Sequence, residues 1–91
     1  MDSGAAAQPL ARVNLAVSLG RRGQPGDAIP HILEAIRLQP ESAQWRYFAG
    51  VMLLEAGRRA ESIAMLQGAL RVDPQHRGAR DALRSLEGGF R

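Results

Sequence analysis

The chain repeats its own sequence with a period of 34 residues. Residues 35–40 read AIRLQP, and residues 69–74 read ALRVDP. The same shift superposes further pairs, namely Arg12 and Arg46, Val17 and Val51, Leu19 and Leu53, Gly23 and Gly57, and Ile29 and Ile63. A repeat of this length is typical of stacked supersecondary units, in which each unit buries its apolar face against its neighbours.

Each unit has the pattern of two helices joined by a glycine turn. In the second unit the apolar residues fall at helical spacing through Trp45, Phe48, Ala49, Met52, Leu53 and Ala56. Gly57 follows, and glycine is the favoured residue just past a helix end. A second helix then runs to Asp73-Pro74, where the proline disfavours helical geometry in the residue before it. The first unit is predicted in the same way, with a break at Gly23 and a stop at Pro40.

Pro30 constrains the start of the second helix in the first unit. Proline is tolerated in the first turn of a helix but removes a hydrogen bond from the interior. If Asp27 is the N-cap, Pro30 lies within the first turn. This placement predicts that the linker of residues 23–26 is longer and looser than its counterpart of residues 57–60.

The two units resemble the tetratricopeptide repeat, a 34-residue helix–turn–helix with a W-x2-L-G-x2-Y, A-x3-F, P pattern. The matching residues are Leu15, Ala16, Leu19, Ala28, Ile32 and Pro40 in the first unit, and Gly50, Leu53, Leu66, Ala69 and Pro74 in the second. Arg12 and Arg46 stand where the family has Trp, and Trp45 comes one place early. The resemblance implies an all-α fold, an α-solenoid of two such helix hairpins.

A third copy begins after Pro74 but changes character. Its apolar stripe consists of Ala79, Ala82, Leu83 and Leu86. Arg84 and Glu87 occupy places where the earlier units have small or apolar residues. We therefore expect a C-terminal capping helix. The predicted organisation is a disordered N-terminus at 1–8, repeats at 9–40 and 41–74, the capping helix at 75–88 and a flexible tail at 89–91.

Composition argues against several classes of function. The chain has no Cys, and its net charge of +3 comes from twelve basic residues that are all Arg. His31 and His76 have no ligand partners at metal-binding spacing, and no nucleophile motif or phosphate loop is present. We expect no metal, no cofactor and no enzymatic activity. The N-terminus lacks signal-peptide features and no segment is apolar enough for a membrane span, which predicts a cytoplasmic protein without a membrane partner.

The resemblance also implies a binding surface, because the first helices of stacked hairpins line a concave face. The family's inner-face positions fall here at Val13, Val17, Tyr47, Val51 and Leu54. These residues are apolar, and the chain has no Lys, so the family's grip on a partner's C-terminal carboxylate is not expected. We interpret the stripe as a groove that binds a peptide or helix of a partner protein, as in an adaptor or scaffold.

Alternatives to this interpretation stay open from sequence. The same face could be the interface of a homo-oligomer in a self-assembling structural unit, or Tyr47 and its neighbours could simply pack against the adjacent hairpin. The chain could also be a regulatory fragment of a larger enzyme. Arg12, Arg46 and Arg80 recur at the repeat spacing and could form an anion-binding strip. Nucleic acid is disfavoured as its ligand, because no stacking aromatic residues alternate with these arginines.

Overall fold

A computed structural model describes residues 8–88 of the chain. These residues form five helices, which are α1 at Pro9–Arg21, α2 at Pro25–Leu38, α3 at Ala43–Glu55, α4 at Arg59–Val72 and α5 at Arg77–Gly88. Helices α1 and α2 pair as one hairpin, α3 and α4 as a second, and α5 packs on α4. The predicted all-α solenoid of two helix hairpins with a closing helix is confirmed. Residues 1–7 and 89–91, predicted as a disordered end and a flexible tail, lie outside the described residues.

The 34-residue period holds for the backbone as well as for the side chains. The first helices begin at Pro9, Ala43 and Arg77, and the second helices begin at Pro25 and Arg59. Each hairpin turns at a glycine with positive φ, 77° at Gly23 and 82° at Gly57. In this conformation a side chain would be strained, whereas glycine has no Cβ to clash. The repeat therefore fixes the turn geometry as well as the helix lengths.

The expectation of a longer, looser first turn is wrong. Helix α2 starts at Pro25, its N-cap is Gln24, and the connection has the same length as the one after α3. Proline suits the first helical position because its φ is already helical and its missing N–H has no partner there. Asp27 lies in the first turn instead of at the N-cap, where its charge suits the helix dipole. Pro30 is consequently inside α2, on its exposed side.

Two side chains cap the N-termini of α3 and α5. The Ser42 hydroxyl accepts a hydrogen bond from the Trp45 N–H at 3.1 Å and starts α3. His76 Nδ1 accepts one from the Ala79 N–H, also at 3.1 Å, in the first turn of α5. Each cap satisfies a backbone donor that the helix itself leaves without a partner.

The core is divided into two clusters along the solenoid. The first joins α1, α2 and α3 through buried Val13, Ala16, Ala28, Ile29, Ile32, Ala35, Ile36, Ala49, Met52 and Leu53. The second joins α3, α4 and α5 through buried Ala43, Leu66, Ala69, Ala79, Leu83 and Leu86. Each cluster thus consists of one hairpin and the helix that follows it, as expected of a repeat protein in which units contact only their neighbours.

Helices α3 and α4 approach most closely at Gly50. A Cβ placed on this glycine would lie 2.6 Å from Cδ2 of Leu66, so any side chain there would have to displace Leu66 or the helix that carries it. The buried Ser62 hydroxyl, in a place where the family has alanine, donates a hydrogen bond of 2.7 Å to the Gly50 carbonyl. Small residues at this crossing therefore let the second hairpin close tightly.

Helix α5 closes the solenoid with one apolar face. Ala79, Leu83 and Leu86 are buried in the second cluster. The Arg59 guanidinium of α4 donates a hydrogen bond to the Leu86 carbonyl near the end of α5. The outward positions Arg80, Arg84 and Glu87 are exposed, as the sequence analysis expected of a capping helix.

Candidate functional site

An open groove runs between α1 and α3, the first helices of the two hairpins. These helices contact each other over only a short stretch, which leaves two adjoining hollows between them. The first hollow has a volume of about 360 Å³ and is lined by Val17, Gly20, Arg21, Tyr47, Phe48, Val51, Met52 and Glu55. The second is lined by Leu10, Val13, Asn14, Val17, Ser18, Arg21, Arg22, Trp45 and Phe48. We call the two together the α1–α3 groove.

The repeat itself places the lining residues. On α3, Tyr47, Val51 and Glu55 recur every four residues and lie on one side of the helix. The 34-residue shift relates them to Val13, Val17 and Arg21 on α1. Equivalent positions of two successive helices therefore face the same space, and a groove with apolar walls is the direct result.

The structure brings four of the five predicted binding residues to the groove, and three of them to its first hollow. Val17, Tyr47 and Val51 line the first hollow, and all three side chains are partly exposed. Val13 is only 4% exposed and belongs to the first core cluster. Leu54 is 39% exposed but lies outside both hollows. Val13 therefore lines the second hollow from within the core, and Leu54 is the one predicted binding residue that lies outside the groove.

Tyr47 lies between the groove and α5. Its ring centroid is 6.1 Å from that of Phe48 and 5.1 Å from that of His76. A Cβ on Gly78 would lie 2.9 Å from the Tyr47 ring, so α5 needs a glycine there to pack against it. His76 is held in turn by a 2.6 Å hydrogen bond between Nε2 and the Gln44 side chain. Tyr47 thus packs against the adjacent element and also lines the groove.

Sequence reasoning missed Trp45 as a groove residue and assigned it to the core. Its side chain is half-buried, packs on the first cluster with one side, and lines the second hollow beside Phe48. The signal was its position, one residue before the place where the family has its core Trp. Leu10, 60% exposed, lines the same hollow. An aromatic wall and an exposed leucine are thus available to a ligand.

Charges lie at one end of the groove. Arg21 and Arg22 end α1, and Glu55 ends α3. Within residues 8–88 these three side chains form no ion pair with any other residue. The walls between this end and Leu10 are mainly apolar, so the groove can exclude water from an apolar ligand while its charged end stays in solvent.

Two of the three arginines of the predicted anion strip are engaged within their own hairpins. Arg46 Nε donates a hydrogen bond of 2.9 Å to the Pro40 carbonyl, and its guanidinium lies across Gly68 of α4. Arg12 has a buried Nε and lies near Glu34 of α2. Both arginines therefore lie along the second helix of their own hairpin, with their stems on apolar surface. Arg80 is separate from them, on α5.

The acidic residues of the second helices are paired locally. Two hydrogen bonds from Arg37, with a smaller contribution from the charge of Arg12, hold the pKa of Glu34 below its usual value. The hydrogen bonds from Arg58 lower the pKa of Glu61 in the same way. Both pairs are exposed, and exposed pairs of this kind contribute little to stability. They are neither near the groove nor arranged for proton transfer.

The part of the chain that the structure describes contains neither a metal-binding cluster nor a membrane-spanning helix. No group of three or more His, Asp or Glu side chains is placed to hold a metal ion there. Among the five helices of residues 8–88, none is long and apolar enough to cross a membrane.

Comparison with known proteins agrees with the geometry. The sequence profile of the tetratricopeptide repeat family matches residues 13–77, which is more than half of the chain. No curated protein matches the chain significantly. The matched segment begins within α1 and ends at the first residue of α5, so it contains most of the first hairpin and the whole of the second. With its period, its glycine turns and its closing helix, the chain belongs to the tetratricopeptide repeat family.

Proposed function

We propose that the chain is an adaptor that binds a peptide or helix of a partner protein in the α1–α3 groove. Repeats of this family generally serve in protein–protein interaction and are typically not catalytic. The observation that carries the proposal is the meeting of partly exposed Val17, Trp45, Tyr47, Phe48 and Val51 in an open groove. Action in the cytoplasm, as a scaffold without catalytic activity of its own, is part of the same proposal.

Aromatic side chains give this groove the chemistry of a binding site. Tyr and Trp are over-represented among residues that dominate interface energies, because they bury a large area with little loss of conformational freedom. Trp45 packs against the first core cluster. Tyr47 packs against the second cluster, which includes residues of α5. A ligand would therefore meet side chains that are already ordered, which reduces the entropy cost of binding.

The groove also offers a test residue that is separate from the core. Val51 lines the first hollow and belongs to neither core cluster. Leu54 lies about one turn further on the same helix, is 39% exposed, and lines neither hollow. Arginine at either position should be tolerated by the fold, since a long side chain can reach water. Only the first substitution should place a charge in the groove.

The test is peptide selection from a displayed library against the whole chain. Binding of each selected peptide is then followed by the fluorescence of Trp45, the only tryptophan. We expect Val51→Arg to weaken binding by about tenfold or more, because a guanidinium replaces apolar contact area. Leu54→Arg should leave the affinity unchanged, and circular dichroism should show both variants folded. Equal affinities for wild type and Val51→Arg would refute the proposal.

Self-association through the same groove is the second candidate. Leu10 is 60% exposed in the second hollow, and Leu15, on the same helix, is 45% exposed. Light scattering over a wide concentration range distinguishes the two functions. A dimer that dissociates on Val51→Arg and not on Leu54→Arg would assign the groove to a second copy of the chain. A monomer at high concentration would leave the groove to a different partner.

A further inference from the structure

Helix α5 presents a basic face that is separate from the α1–α3 groove. Arg77, Arg80 and Arg84 recur at i, i+3 and i+7, and so lie along one side of the helix. With Asp81 they line a shallow hollow that shares no residue with the groove. The side chains are extended into solvent, since 74% of the Arg84 side chain and 60% of that of Asp81 are exposed.

The equivalent face of α3 in the preceding repeat is covered by a second helix. The 34-residue shift relates Arg80 to Arg46 and Arg84 to Gly50. On α3 this side of the helix packs against α4, where Arg46 crosses Gly68 and Gly50 lies against Leu66. Within residues 8–88 no helix lies over the corresponding side of α5. The basic face therefore occupies the position at which each preceding hairpin receives a second helix.

The guanidinium groups on this face are largely unneutralised. Elsewhere Arg37 and Arg58 each form two hydrogen bonds with a carboxylate on their own helix. On α5, within the described residues, the one contact between an arginine and a carboxylate joins Arg84 Nη1 to Asp81 Oδ1. Its length of 3.6 Å is longer than a hydrogen bond. Arg77 and Arg80 form no ion pair within the described residues. Their donors are available to a carboxylate in the bidentate geometry that arginine favours.

We infer that this face of α5 binds an acidic helix of a partner protein through side-chain carboxylates. A helix fits because α2 and α4 occupy the equivalent positions on α1 and α3. The large side chain of Arg84 would hold the backbone of a bound helix further from α5 than Gly50 holds the backbone of α4 from α3. Long acidic side chains are therefore needed to bridge the gap. An acidic protein segment is favoured over nucleic acid because no aromatic ring lines the hollow on α5. A nucleic-acid base would have nothing there to stack on. This inference does not depend on the groove.

The probe is a labelled Ala-rich peptide of about 14 residues, long enough for partial helicity, with Glu at i, i+3 and i+7 along one side. Fluorescence polarisation measures its binding to the whole chain at low salt. We expect binding that weakens as salt rises, since charges in water are screened. Arg80→Glu should weaken it by about tenfold or more. Arg71→Glu, an exposed charge reversal on α4, should have little effect, and Val51→Arg should have none.

Each contrary outcome has a distinct meaning. Absence of binding, or equal weakening by Arg80→Glu and Arg71→Glu, would overturn the inference, the latter by showing a response to net charge alone. Equal binding of a peptide with the same composition but with Glu spread around the helix would overturn the matched face. Tighter binding of a single-stranded oligonucleotide of equal charge would reassign the face to nucleic acid. Circular dichroism of the variants excludes loss of folding as the cause, and none of these results bears on the α1–α3 groove.

Discussion

Leu66→Ala is expected to lower the free energy of unfolding by about 2–5 kcal/mol. Leu66 is 1% exposed and is one of the largest fully buried side chains. It lies against Gly50, and Ala69, Ala79 and Leu83 belong to the same cluster. Because several of these neighbours are small and fixed by helix packing, they cannot move far to fill the space that the leucine leaves. The cavity would remove the contacts that Leu66 makes between α3, α4 and α5.

Chemical denaturation measures this change, and Leu54→Ala is the matched control. Leu54 is 39% exposed and belongs to neither core cluster. Its truncation should cost less than about 1 kcal/mol, as for other surface substitutions away from packed sites. Similar losses for the two variants would contradict the assignment of Leu66 to the centre of the second hairpin.

Gly50→Ala is expected to destabilise the chain by about 1–3 kcal/mol, although a single methyl group is added. The new Cβ would lie 2.6 Å from Cδ2 and 2.7 Å from Cγ of Leu66. Since Leu66 is fully buried among packed neighbours, a new rotamer has little free space into which to move. The hydrogen bond from Ser62 to the Gly50 carbonyl also resists separation of the helices. The two helices must therefore move apart along their closest contact.

A double-mutant cycle isolates this contact. In the Leu66→Ala background the clash is absent, so Gly50→Ala should cost much less than it does alone. Gly26→Ala on α2 is the control, because nothing lies within 4 Å of its Cβ position. That substitution should be neutral or should stabilise by up to about 1 kcal/mol. Additive effects of the Gly50 and Leu66 substitutions would show that the two residues do not meet as described.

The sequence predicted the fold well because period and turn chemistry act locally. Gly23 and Gly57 end their helices since only glycine adopts the required φ without strain. Gly50 and Ala69, two of the residues that carry the family resemblance, are buried. The start of α2 was predicted too late because both Pro25 and Pro30 suit the first turn of a helix, and the prediction placed Pro30 there. The structure starts α2 at Pro25, directly after the glycine turn.

The groove was harder to predict, because helical periodicity gives the direction of a side chain but not the neighbour that it meets. Val13 and Val17 lie on the same side of α1 and both line the groove, yet the first is almost wholly covered by the core and the second is partly exposed. Trp45 is apolar like a core residue, but its side chain is so large that part of the ring lies outside the first core cluster. The burial of each residue depends on the splay between α1 and α3, which is a property of the whole stack.

The arginines follow the same rule. Arg12, Arg46 and Arg80 are equivalent in sequence, and within residues 8–88 a second helix lies beside the first two but not beside the third. Repetition therefore places a guanidinium along a hairpin in two cases and in solvent in one. The basic face of α5 could be predicted only by asking which first helix has no second helix beside it within residues 8–88.

The central claim, that the α1–α3 groove is the binding site, is tested most directly by methyl NMR of the chain with a bound selected peptide. The account predicts that the methyl signals of Val17, Val51 and Met52 shift and show contacts to the peptide, since all three line the first hollow. Leu33, Leu54 and Val72 serve as internal controls, because they are 37%, 39% and 39% exposed and line no part of the groove. Shifts and peptide contacts at these three residues, with Val17 and Val51 unchanged, would contradict the claim.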